Sequence, residues 1–157
     1  ALSNKELKNF NIIVSFAGDG VKMKYLKDLK EKLKLVDRVK FEGLLDINDL
    51  KNWYNELDLY IHASNGEGMS TSILQAMSME LPIAASNVKG IKELFYKYPK
   101  IGKMFLNNTS DISKLIKHFY MKQNKLNEFK LSREYIIQNF TDRLMFLNYI
   151  KIIKKVS

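Results

Sequence analysis

Residues 58–86, DLYIHASNGEGMSTSILQAMSMELPIAAS, constrain the chain more than any other stretch. Leu59, Tyr60 and Ile61 form a short apolar run, the length of a buried strand. Ser64-Asn65-Gly66-Glu67-Gly68 follows, small and polar residues that favour a tight loop. Ser70, Thr71 and Ser72 lead into Ile73, Leu74, Ala76 and Met77 at helical spacing. Pro82 cannot continue a helix, because it has no amide hydrogen and its ring clashes with the turn before it. Ile83-Ala84-Ala85 then reads as the next strand. The pattern predicts strand, glycine-rich loop, helix, strand.

Such a join has specific chemistry. Gly66 and Gly68 lack a Cβ and allow a ligand close to the backbone. The amides of Met69, Ser70 and Thr71 are unpaired donors at a helix start. With the helix dipole they favour an anion, phosphate above all. Glu67 would repel a phosphate beside it, so its side chain is expected to point elsewhere, toward sugar hydroxyls. Gln75, eight residues on, falls about two turns along the same helix face. A plain βα turn that binds nothing, with Glu67 favouring the dipole, is the better fit to the bare pattern taken alone.

The rest of the chain alternates in the same way. Residues 2–10 read as a helix, with Ser3 as cap and Leu7 and Phe10 on one face. IIVSFA, 12–17, reads as a buried strand broken by Gly18-Asp19-Gly20. Leu26, Leu29, Leu33 and Val36 recur at three- and four-residue steps, an amphipathic helix. Val39-Lys40-Phe41 is a strand ended by Gly43. Asp46 caps a helix holding Leu50, Trp53 and Leu57. Beyond the central stretch come a helix over 90–96, an edge strand over 103–106, and helices over 111–121, 128–138 and 142–155. Strands alternating with helices predict an α/β fold, a Rossmann-like parallel sheet with helices on both faces.

Composition narrows the chemistry. The chain has 157 residues, of which 46% are hydrophobic and 27% charged, which suits one globular domain. No apolar run is long enough to span a bilayer, and no secretory signal pattern opens the chain. Cysteine is absent, which excludes disulfides and thiol chemistry and fits the cytoplasm. His62 and His118 are too few for a histidine-rich metal site. No two aspartates stand two residues apart, so a metal-holding Asp-x-Asp pair is missing, as are P-loop, HExxH and GxSxG patterns. The net charge of +9 fits a solvated lysine-rich surface or attraction to anionic partners. Basic residues interleaved with aromatics appear only faintly, around Tyr96, Lys97, Tyr98 and Lys100, and no nucleic-acid partner is expected.

The central stretch resembles the donor-binding motif of the retaining family 4 glycosyltransferases, which have the GT-B fold. That motif has a strand ending near Pro-Ser, then Glu-Gly, a helix carrying Glu-Ala-Met, Gly-Leu-Pro and a strand. Here it reads Ala63-Ser64, Glu67-Gly68, Gln75-Ala76-Met77, Glu80-Leu81-Pro82 and Ile83-Ala84-Ala85-Ser86. Gly90-Ile91-Lys92-Glu93-Leu94 resembles the family's Gly-x-x-Glu segment. Gln75 replaces the second glutamate of a paired-glutamate motif, Glu80 a common glycine and Ala63 a common proline.

The resemblance implies a donor domain for a hexosyltransferase that uses a nucleotide-diphosphate sugar as substrate, with no cofactor and no metal. Glu67 would be the catalytic residue contacting the donor sugar. Gly68, Met69 and Ser70 would bind the diphosphate, and Gln75 the ribose. Gly18 would lie near the base, and the backbone at Phe41, Gly43 and Leu44 would line the base pocket. In that family a strand and a loop with an arginine and a lysine precede this region, and an N-terminal domain binds a glycan or lipid-linked acceptor. Neither is present, so 1–157 is expected to be a single domain from a larger two-domain enzyme. Cytoplasmic location, with peripheral contact at the inner membrane face, is the family expectation.

Two alternatives stay open. Gln75 and Glu80 suit a non-catalytic sugar-nucleotide-binding partner. Gly18-x-Gly20-x-x-Met23 after a strand, with Glu42 at the end of the next, is similar to a dinucleotide fingerprint, which would make this an NAD-binding domain. Its third glycine is missing, and Met23 would hinder close helix–strand packing.

Overall fold

A computed structural model describes residues 1–122 and 131–156. The chain divides into two compact units: Ala1–Glu56 with Asn108–Met121, and Leu57–Asn107 with Lys122–Ser157. The strands are parallel and fall into two sheets rather than one, with helices on both faces.

In the first unit, β1 (Val14–Ala17) pairs with β2 (Val39–Gly43), Val14 opposite Val39 and Phe16 opposite Phe41. The Phe16 and Phe41 rings stack at 5.5 Å, a cross-strand pair. The register slips after Phe16, which sets Ala17 opposite Gly43. This sheet is not buried as its apolar sequence suggests, since Ile13 and Phe16 are exposed. Between the strands runs α1 (Met23–Lys32). Leu26 and Leu29 are half-buried on it, whereas Leu33 and Val36 lie beyond its end and are exposed. Asp46 caps α2 (Ile47–Asn55), its carboxylate accepting the Asn48 and Asp49 amides at 2.8 and 2.9 Å. Helix α5 (Thr109–Met121) completes the unit.

The helix expected over 2–10 is absent. Successive turns replace it, with amides of Asn4, Leu7 and Phe10 bonded three residues back. The reason is Arg38. Its guanidinium donates to the carbonyls of Leu7 and Phe10 at 3.1 Å, Ile12 at 3.2 Å and Leu2 at 3.5 Å. A helix would turn the first of these carbonyls onto its own amides. Five fixed donors in a planar fork outbid that arrangement. Leu7 is fully buried, and Asn4, not Ser3, accepts locally from the Glu6 amide.

In the second unit the order is β3 (Tyr60–His62), β4 (Ile83–Ser86), β5 (Gly102–Phe105), which puts β5 at the edge as expected. All four residues of β4 are fully buried. Helix α3 (Thr71–Ser78) buries Ile73, Ala76 and Met77, and α4 (Lys89–Lys97) buries Ile91, Leu94 and Phe95. Helix α6 (Leu131–Asn139) opens against the end of α3: Ser132 donates to the Met77 carbonyl at 2.9 Å and Arg133 to Ser78 at 3.1 Å. Residues 128–130, expected to begin this helix, lie outside the described residues. Helix α7 (Asp142–Val156) matches the expected span. Among the described residues no helix is long and apolar enough to cross a membrane.

Helix α3 ends in a Schellman turn. The Leu81 amide bonds to Ala76 at 3.1 Å and the Glu80 amide to Met77 at 3.0 Å. That geometry puts Glu80 in the left-handed region, at φ +60°, where a side chain costs about 1 kcal/mol. Glu80→Gly is expected to stabilise the protein by up to about 1 kcal/mol. Urea unfolding checks this, and an unchanged or lower midpoint refutes it.

Candidate functional site

The loop after β3 is fastened before it reaches the glycines. Ser86, fully buried at the end of β4, accepts the Ser64 amide at 2.8 Å and donates to Asn107 Oδ1 at 2.6 Å. The Asn107 amide group donates onward to the Ser64 carbonyl at 2.7 Å and to Asn65 Oδ1 at 3.2 Å. Ser64 Oγ closes a local turn onto the Gly66 carbonyl at 2.9 Å.

The other side of the loop meets α4. A Cβ on Gly90 would collide with the carbonyl oxygens of Glu67 and Gly68. The first turn of α4 therefore lies directly against that backbone, and only glycine permits it. Gly66 and Gly68 differ: a Cβ on either meets nothing within 4 Å, and neither has positive φ.

Ser70 caps α3. Its side chain is buried and accepts the Ile73 amide at 3.4 Å. Among the described residues no acceptor engages the amides of Met69, Ser70 or Thr71. The expected unpaired donors at this helix start are present, and Met69 and Thr71 are exposed beside them.

Glu67 is held by the last residue of β3. Its Oε1 lies 3.0 Å from His62 Nε2. Ser70 Oγ is 3.4 Å from the same nitrogen and 3.0 Å from Ser72 Oγ, and Tyr60 Oη is 3.3 Å from His62 Nδ1. The His62 side chain is 14% exposed and that of Glu67 29%, so a held carboxylate stands at the surface. Gln75 is exposed on α3.

In the first unit, Gly18 and Gly43 come together. The Gly18 amide donates to the Gly43 carbonyl at 2.6 Å, and both have positive φ, +115° and +73°, so both need glycine. Leu44 beside them is 82% exposed. Glu42 has a partner: it accepts the Ser15 hydroxyl at 2.7 Å, and Ser15 accepts the Trp53 indole at 2.8 Å. Met23 opens α1 with its amide on Gly20 at 2.9 Å.

Over residues 1–119 the chain matches the family described as glycosyl transferases group 1. The chain belongs to that family. It is 30% identical to protein CapJ of Staphylococcus aureus, over 98% of its own length and 40% of that protein's. It is 32% identical to the O-antigen biosynthesis glycosyltransferase WclY of Escherichia coli, over 58% of this chain and 24% of the relative. The chain thus spans well under half the length of these two relatives. A glycosyltransferase from Rickettsia africae superposes with a TM-score of 0.85 at 24% identity, covering 99% of this chain and 42% of that one. Anabaena HepE, solved with UDP, gives 0.79 at 20%, covering 92% and 41%. The likeness shows a GT-B fold. Gly18 is required by its backbone angle, whereas Gly20 has neither positive φ nor a neighbour within 4 Å of a Cβ.

Within this group 1 domain, two contributors escape a reading of the sequence, Ser86 and Asn107, whereas His62 reads there as a half-buried structural histidine at the end of the strand, and it is half-buried. Ser86 and Asn107 are ordinary polar residues at strand ends. His62 carries a signal in its spacing, since it ends β3 five residues before Glu67. Gly90 is visible as part of a Gly-x-x-Glu segment, but its reason is the backbone it faces. The two kinds of glycine should separate on substitution. Gly90→Ala is expected to cost about 1–3 kcal/mol of stability, and Gly66→Ala or Gly68→Ala within about 0.5 kcal/mol. Denaturant midpoints decide, and a Gly90→Ala protein as stable as the parent refutes the close approach.

Proposed function

We propose that this chain is the donor-binding half of a retaining, metal-independent hexosyltransferase. The enzyme would move a sugar from a nucleotide-diphosphate sugar to a glycan or lipid-linked acceptor. The observation that carries this is the start of α3: amides at 69–71 without acceptors, in a family whose members are glycosyl transferases. HepE, of the same fold, was solved with UDP and with UDP-glucose.

The chemistry follows from charge. As the bond from the sugar C1 to the diphosphate oxygen breaks, negative charge gathers on the leaving diphosphate. Amides aimed at it from Met69, Ser70 and Thr71, with the dipole of α3 behind them, stabilise that charge without reorganising. Gly66 and Gly68 keep the approach open. Glu67, the proposed catalytic residue, addresses the hydroxyls of the donor sugar. Gln75 takes the ribose hydroxyls as a neutral amide, able to donate and to accept. Gly18, Gly43 and Leu44 take the base. The remainder of a longer protein supplies the acceptor site, and the enzyme works in the cytoplasm, with peripheral contact at the inner membrane face.

The test removes the amide hydrogen of one residue by a substitution the backbone already tolerates. Thr71 is the first residue of α3, where proline is tolerated, and Ser70 already has the extended backbone that precedes a proline (φ −83°, ψ 109°). Calorimetric titration with UDP, GDP and ADP is expected to show binding of at least one. Thr71→Pro should weaken that binding on the order of tenfold, the worth of one hydrogen bond to a charged group. Glu67→Ala should lower sugar-nucleotide affinity further than it lowers affinity for the bare nucleotide. No binding of any of the three at millimolar concentration overturns the proposal.

A further inference from the structure

Tyr60, His62 and Glu67 form a row whose protons are set by chemistry. Tyr60 and His62 alternate on β3 and share one side of the strand, their rings 6.1 Å apart. An ionised carboxylate only accepts. At 3.0 Å from Glu67 Oε1, His62 Nε2 therefore carries the proton. In the Nε2–H tautomer Nδ1 is an acceptor, and the Tyr60 hydroxyl stands 3.3 Å from it, within reach to donate. Glu67 Oε2 has no partner among the described residues.

We propose that His62 is a positioning residue. Its Nε2–H holds Glu67 Oε1 so that Oε2 is presented to the sugar of the donor, and Tyr60 selects the tautomer that does so. This rests on the role given to Glu67 under Proposed function. Two physical reasons require such a residue. A glutamate side chain loses up to about 2 kcal/mol of rotamer entropy when fixed, and His62 meets that cost before the donor arrives. An unheld Glu67 carboxylate could also fold back onto the nearby amides at 69–71 and compete with the phosphates for them. Ser70, which caps α3 and lies 3.4 Å from His62 Nε2, ties the two ends of the site to one imidazole.

The chain has only two histidines, so nitrogen-15 spectra resolve His62 directly. The free chain is expected to show His62 as the Nε2–H tautomer, with the preference weakened in Glu67→Ala. His62→Gln keeps an N–H near the Nε2 position, whereas His62→Asn keeps a polar atom only near Nδ1. The ratio of UDP to UDP-glucose dissociation constants measures what the sugar adds. That ratio should fall on the order of tenfold in His62→Asn and be largely retained in His62→Gln. An Nδ1–H tautomer, or equal ratios in parent, Asn and Gln proteins that all bind UDP, overturns the role of His62 alone. Failure of UDP and UDP-glucose to bind while the Nε2–H tautomer is present overturns the donor reading, and the donor role of His62 with it.

Discussion

The buried hydroxyl of Ser86 fixes where the loop after β3 runs. It sits at the end of a fully buried strand and has one proton and two lone pairs to place. The proton goes to Asn107 at 2.6 Å and a lone pair to the Ser64 amide at 2.8 Å. Asn107 returns the favour by holding the Ser64 carbonyl. Amide, carbonyl and two side chains are satisfied together, where leaving any buried member unpaired costs about 1–3 kcal/mol. The path of residues 64–66 is thus set from the core outward. The positions of Glu67 and of the first turn of α3 inherit that setting.

Electrostatics then sorts the charges around the turn. Three amides and a helix dipole make the start of α3 attractive to any anion, including the protein's own carboxylate two to four residues away. His62 holds one oxygen of that carboxylate at 3.0 Å. The net charge of +9 adds a general attraction for anions but no direction. Direction comes only from donors with fixed geometry.

Much of this was legible in the sequence. The strand–loop–helix–strand unit over 58–86 carries its own punctuation: an apolar run, a polar loop, a capping Ser70 and a stopping Pro82. Asp46 announced α2 in the same local way. What failed was long-range. Leu7 and Phe10 suggest a helix by spacing, but the carbonyls there are taken by Arg38, nearly thirty residues or more away in sequence. The apolar run 12–17 suggests burial, yet Phe16 packs on Phe41 with much of its surface exposed. The partnership of His62 with Glu67 depends on the pleat of β3 and the path of the loop together, and neither is encoded at either residue.

The glycines show how fold and ligand leave different marks on one sequence. Gly18 and Gly43 are required by backbone angle, and Gly90 by the carbonyls it faces. Each of those requirements is met within the chain. Gly66 and Gly68 have neither positive φ nor a neighbour that a Cβ would strike. A glycine loses more backbone freedom on folding than any other residue, with no return here from the folded chain itself. On the donor reading proposed above, that return comes from a ligand that approaches where the side chain would be. The amides of 69–71, without acceptors among the described residues, follow directly in sequence, and the donor reading proposed above assigns both features to one anionic group.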